Sequence, residues 1–176
     1  MIKFFYLVLF WTTLLYACFT PKVLADEDEM TTSMAEIKAV YLIHLSEFTS
    51  WSEEKMRTPF FSICISAESE LKQPLEEIQG RYVKNKPLKI QLISTTSHPN
   101  QCHILYVDIF NKTFFEQQKT TPILTISSEA NFLQDGGIIQ YYTDNDKVKM
   151  RVNLKAMTKA KLSISSKLLR LMNSSP

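Results

Sequence analysis

Hydrophobic and polar positions first divide the chain into a leader and a body. From Phe4 to Leu15 every residue is apolar apart from Thr12 and Thr13, with Lys3 ahead and Val23 and Ala25 placed before an acidic DEDE. A positive start, a short apolar run and small residues before a junction are the layout of an export signal, so residues 1–25 are assigned to one that is cleaved after Ala25. The run is short for a membrane span. Two other readings stay open: lipidation at Cys18 of LYAC, and an uncleaved anchor. Residues 26–32 are polar and expected to form a disordered lead, leaving one domain over residues 33–173.

Within the body the periodicity changes repeatedly. Ser33 and Glu36 have capping-box spacing, and Ile37, Val40, Tyr41, His44, Leu45 and Phe48 recur at helical intervals, which predicts a helix over 34–50 ended by Trp51. Phe60–Ser66 is apolar on both faces, as in a strand buried between layers. A helix over Glu68–Gln79 is expected to end at Gly80, followed by strands at Leu88–Ile93 and Ile104–Val107. A helix over Phe110–Gln118, the strand PILTIS and a short helix over Glu129–Leu133 come next. Gly136 and Gly137 relieve the backbone before a hairpin of Ile138–Tyr142, a Thr143–Asp146 turn, and a last strand. In that strand Val148, Met150 and Val152 alternate with Lys147, Lys149 and Arg151, so one face is wet. Helices over Leu154–Ala160, capped by Asn153, and Ser165–Met172 close the chain. Strands alternating with helices predict an α/β fold: one domain, a mixed and mostly parallel sheet flanked by helices, with an antiparallel hairpin near the C-terminus.

Charge adds a gradient. Residues 26–176 hold 18 basic and 18 acidic side chains, yet residues 26–79 carry 12 acids against 4 bases, and residues 147–176 carry 8 bases and no acid. The basic end attracts anions or acidic partners, or it balances the acidic end within the fold or across a dimer. Cys64 and Cys102 remain after cleavage; both lie at candidate strand positions, and export permits a disulfide, the alternative being two buried thiols.

Several chemistries are excluded or weak. Three glycines, Gly80, Gly136 and Gly137, cannot build a dinucleotide or phosphate loop. TDNDKVKM lacks the sixth-position glycine and twelfth-position glutamate of a calcium loop. His44, His98 and His103 have no metal-site spacing with the cysteines, and His44 is read as a core residue of the first helix. No nucleophile has a persuasive partner, no cofactor is expected, and the basic end lacks the interleaved aromatics of a nucleic-acid binder. Arg81 and Arg170 are candidates for an anion or ligand pocket, because a guanidinium matches carboxylate or phosphate; Lys147, Lys149, Arg151 and Lys167 are candidates for partner contact.

Six segments, in order, carry a family likeness: KAVYLIHLSEFTSW, FSICIS, GRYVKNKPLKI, CHILYV, PILTISSEANFLQDGGIIQYY and KVKMRVNLKAMTKAKLSISSKLLRLM. The chain resembles the YfiR family of periplasmic regulators, most specifically in its GG-x-I, NL and SSKLLRL elements. It departs from that pattern at Ser52, where proline is common, at Ser127 and Ser128, where a glycine often stands, and in lacking a second cysteine pair. The resemblance implies a periplasmic repressor, not an enzyme, that binds the periplasmic domain of a membrane diguanylate cyclase and lowers cyclic-di-GMP. It also implies an outer-membrane lipoprotein as a second partner, a homodimer, and Cys64–Cys102 as the structural bridge. The competing reading is a periplasmic domain that senses a small ligand.

Overall fold

The computed structural model describes residues 27–94, 99–109, 111–116, 121–170 and 172–174. The expected export signal over 1–25, Cys18 and His98 lie outside the described residues. Backbone contacts divide the chain into two compact units, one ending at Thr31 and the other beginning at Thr32.

The first helix, α1, runs Glu27–Phe48. Residues 27–32, expected to be a disordered lead, are helical instead. No glycine or proline interrupts them, and Glu27, Asp28 and Glu29 sit where the helix dipole favours negative charge. The side chain of Ser33, half of the expected capping box, lies outside the described set. The buried face also differs from the expected stripe. Ala35, Ala39, Leu42 and Leu45 are buried, while Ile37 and Val40 are 38% and 51% exposed and His44 is exposed too. Two stripes compete on this helix. The one with two alanines turns inward, because small side chains let the helix lie close on the sheet.

After α1 come β1 (Thr49–Ser50), a single 3-10 turn (Lys55–Arg57), β2 (Phe61–Ser66), α2 (Lys72–Glu76), β3 (Tyr82–Val83), β4 (Lys86–Ile93) and β5 (Ile104–Val107). They are followed by α3 (Lys112–Glu116), β6 (Leu124–Ser127), β7 (Ile139–Asp144), β8 (Lys147–Val152), α4 (Leu154–Lys159), β9 (Ser163–Ile164), α5 (Ser166–Leu169) and β10 (Asn173–Ser174). The main sheet has the order β10-β8-β7-β6-β5-β2-β4-β3, and β1 pairs with β9 in a separate antiparallel ribbon. β4, β2, β5, β6 and β7 are all parallel, and β8 returns antiparallel to β7. The expected α/β class, with a mostly parallel sheet and a late hairpin, is what forms.

Some local differences have identifiable causes. α2 is five residues long, shorter than expected, and Pro74 falls in its first turn. A proline is tolerated only there, since its missing N–H has no partner in a helix start, so the helix cannot begin much earlier. The expected helix over Glu129–Leu133 is a run of turns. Gln140 Nε2 donates to the carbonyls of Glu129 (2.7 Å) and Ala130 (2.8 Å), which a helix would have used itself. The hairpin turn is two residues, Asn145 and Asp146, with φ of 50° and 55°, so β7 runs on to Asp144, two residues beyond the expected end, while β8 keeps its expected span. This is the left-handed pair that matches strand twist, at residues that tolerate it. At Gly137 a Cβ would stand 2.2 Å from the buried Phe132 ring, so no side chain fits.

Alternation in the strands builds two cores. Phe61, Ile63 and Ile65 of β2, Ile104 and Tyr106 of β5, and Leu124 and Ile126 of β6 join α1 and Leu71 and Leu75 of the α2 segment in the larger one. The opposite face is thin: Cys64, Cys102, Leu105, Val107, Phe115, Ile123 and Phe132. A disulfide joins Cys64 to Cys102 there, with a Cα–Cα distance of 5.8 Å across 38 residues of sequence. Closing such a loop stabilises by about 4 kcal/mol on the chain-entropy model.

His103 completes the junction between β2 and β5. Its backbone N–H donates to Ser62 O at 2.9 Å, and its ring Nδ1 accepts from Ser62 N–H at 3.0 Å. Nδ1 therefore keeps its lone pair, and Nε2–H faces the Lys55 carbonyl at 3.2 Å. The ring stacks on Phe61 with centroids 4.6 Å apart, and Trp51 meets Phe61 edge-on at 5.4 Å. Burial, with help from the Lys55 and Lys86 charges, pushes the imidazole down to about 4. Between pH 6.5 and 4 the unfolded chain takes up a proton that the folded chain refuses. Stability from this group is thus complete above pH 6.5 and falls as pH falls towards 4. Urea unfolding at a series of pH values is expected to show that slope in the wild type and a reduced slope in His103→Gln.

Candidate partner-binding face

The wet side of β8 follows directly from its alternation. Lys147, Lys149 and Arg151 are exposed, Val148 and Val152 are buried, and Met150 is intermediate. An antiparallel hairpin with one face on the core leaves the other in water, and long cationic side chains suit that side. Asp144, at the end of β7, pairs with Lys149 across the hairpin. Its carboxylate raises the Lys149 ammonium above the usual lysine range. The Arg151 guanidinium lies 4.1 Å from the centroid of the Tyr142 ring, which fixes a flat cation over an aromatic face.

Beside this hairpin α1 presents the stripe that the alanines displaced from the core. Tyr41, His44 and Phe48 of α1, Tyr142 and Met150 of the hairpin, and Lys167 of α5 surround a depression of about 690 Å³ floored by Val148 and Leu168. Tyr41 also packs edge-on against the buried Tyr141, with centroids 6.3 Å apart, so the wall is anchored to the sheet. Lys149 lies on the rim, and Lys167 makes no ion pair among the described residues. The result is an aromatic hollow with two ammonium groups at its border. Apolar rings in a depression supply contact area, and peripheral charges steer an acidic partner into register.

The other candidates fall elsewhere. Arg170 is exposed just after α5, within one turn of Lys167. Arg81 is exposed next to β3, at the opposite end of the strand order, so the two arginines do not share one element. Gly80 has φ of 84°, and its N–H donates to Leu88 O at 2.9 Å, closing the turn into β4. Asn153 Oδ1 accepts from Ala156 N–H at 2.9 Å at the start of α4, and its Nδ2 donates to Leu133 O at 3.0 Å. Trp51 is buried beside β2. Tyr41, His44, Phe48, Tyr142 and Met150 were not singled out from sequence as contact residues. The aromatic spacing on α1 reads as a core stripe, and only the competing alanine stripe signals otherwise.

Among the described residues no three metal-ligating side chains stand together, and no helix is long and apolar enough to cross a membrane. The fold is a doubly wound α/β domain, and this face is a charged, aromatic hollow on it. The chain belongs to the YfiR/HmsC-like family, whose model matches residues 35–172. Membership of that family points to a periplasmic regulator of diguanylate cyclase signalling. No curated protein matches the chain.

Because the rim side chains are exposed, removing their charge is expected to be nearly neutral for folding. Lys149→Gln and Lys167→Gln should each leave the urea midpoint of unfolding nearly unchanged. Leu168→Ala, in the buried floor, should cost about 2–5 kcal/mol. Urea titration of the three variants checks the contrast.

Proposed function

We propose that this protein is a periplasmic repressor that binds the periplasmic domain of an inner-membrane diguanylate cyclase and holds the enzyme inactive, lowering cytoplasmic cyclic-di-GMP. The observation that carries this reading is the family match over residues 35–172, nearly the whole of the domain. Export by residues 1–25, release of the repressor by an outer-membrane lipoprotein, and pairing of two copies belong to the same proposal. The role is regulatory, with no bond made or broken in a substrate.

The aromatic hollow beside the hairpin supports the reading in physical terms. A repressor needs a rigid body and a surface whose shape and charge recognise one partner. The disulfide and the buried His103 stiffen the body. The hollow supplies Tyr41, Phe48 and Tyr142 for contact and Lys149 and Lys167 for steering. In this proposal the cyclase domain places an acidic rim against those lysines.

Deleting the gene in a cell that expresses the cyclase should raise cyclic-di-GMP. Complementation with the wild type should restore the low level, and a Lys149→Glu, Lys167→Glu chain should fail to do so while folding normally. A level that stays unchanged on deletion contradicts the proposal as a whole. Full complementation by the charge-reversed chain contradicts the assignment of the face.

A further inference from the structure

Taken in chain order, the five parallel strands β2, β4, β5, β6 and β7 stand in the sheet as 2-1-3-4-5. The chain leaves β2 outward through α2 to β4, and leaves β5 the other way through α3 to β6. The two connections cover opposite faces: Leu75 of α2 packs in the larger core, and Phe115 of α3 in the thin one. Between β2 and β5, at their carboxyl ends, the covers diverge and a crevice must open. In open α/β sheets this is where ligands bind.

The crevice is present. A cleft of about 600 Å³ lies there, within the range of small-molecule sites. Its walls come from the ends of three strands: Ser66 at the end of β2 with Ala67 after it, Ile93 at the end of β4, and Val107 at the end of β5 with Asp108 and Ile109 after it. The lining is largely apolar, and Ile109 is 82% exposed at the site, a large apolar side chain facing water.

The polar part of the cleft has one sign. Asp108 accepts from Ser66 Oγ at 3.0 Å and from Ser69 Oγ at 2.8 Å. Two hydroxyls hold the carboxylate in place and leave it further accepting capacity, since a carboxylate offers about four lone-pair sites. Neither described ion pair includes it. Glu68 lines the same cleft, and Glu70, itself paired with Lys38 at 2.7 Å, adds a repulsive charge. Burial raises the Asp108 carboxyl above its usual value, with a smaller push from the Glu70 charge, against the opposing hydrogen bonds from Ser69, Ser66 and the Glu70 backbone. A cation in the cleft would relieve that cost. Phosphate ligands, the usual occupants of switch points, meet neither a glycine loop nor a basic side chain among the described residues of its walls.

We infer that this cleft binds a small organic amine, with its ammonium group on Asp108 and an apolar body against Ile93, Val107 and Ile109. The site is separate from the hairpin face and does not depend on the cyclase reading. It makes the domain a receiver of a small-molecule signal as well as a partner-binding protein.

Tryptamine and 2-phenylethylamine test this directly, with indole-3-propionate as a carboxylate of matched shape. Calorimetric titration of the exported protein should show saturable binding of both amines at a single site, and at least tenfold weaker binding of the carboxylate. Asp108→Asn should weaken the amines at least tenfold. Ile109→Lys, a change at an exposed position that places a cation beside the carboxylate, should do the same without altering the fold, and it carries the test if Asp108→Asn does not fold. No saturable amine binding, equal binding of the carboxylate, or undiminished binding by Ile109→Lys would overturn the inference.

Discussion

The junction between β2 and β5 is the constraint on which the rest of the structure depends. The sheet reverses its winding here, and the ladder itself pairs only Ile63 with Ile104 and Cys64 with Leu105. Three further bonds reinforce it. The His103 backbone and ring both bond to Ser62, one as donor and one as acceptor. The Cys64–Cys102 disulfide ties the strand to the segment that enters its neighbour. The histidine must be neutral to do this, because protonated Nδ1 would face the Ser62 N–H instead of accepting from it. Burial, then the nearby Lys55 and Lys86 charges, keep it neutral.

Two surfaces follow from that junction. At the carboxyl end the covering segments diverge and leave the acidic, apolar-walled cleft. Further along the sheet, β7 and β8 carry the cationic hairpin, and α1 lies beside it with Tyr41 and Phe48 half-buried between them. A network joins α1 to the strand ends: Lys38 pairs with Glu70 at 2.7 Å, and Tyr106 donates to Glu70 at 2.9 Å and meets Ser128 at 3.1 Å. Tyr106 also lines the cleft, and it packs against Tyr141, which touches Tyr41 of the hairpin face. The cleft and the hairpin face therefore share a continuous set of tyrosines, buried Tyr106 and Tyr141 and half-buried Tyr41. That contact is a physical route by which an occupant of one could bias the other.

Much of the architecture was legible in the sequence, because strand alternation is local. Val148, Met150 and Val152 against Lys147, Lys149 and Arg151 fix the faces of β8 before any tertiary information. Ile104–Val107 is bounded so sharply that its ends coincide with the strand found. What stayed hidden depended on neighbours distant in the chain. The two alanines of α1 could only be chosen over Ile37 and Val40 once a sheet was there to pack against. The turns at 129–133 depend on a side chain from β7. His103 looked like an unremarkable residue after a cysteine, and its role exists only because Ser62 lies beside it. The cleft was invisible for the same reason: Ser66, Ile93 and Asp108 meet through strand order, which hydrophobic periodicity does not encode.

Amide hydrogen exchange at the junction tests this account most directly. In the oxidised protein the Ser62 amide, bonded to a ring nitrogen, should exchange as slowly as those of Ile63 and Ile65 in the centre of β2. Reduction of the disulfide should speed exchange across β2 and β5 by roughly three orders of magnitude, the equivalent of its loop-closure contribution. A Ser62 amide that exchanges at loop rates, or protection of β2 and β5 that is indifferent to reduction, would contradict it.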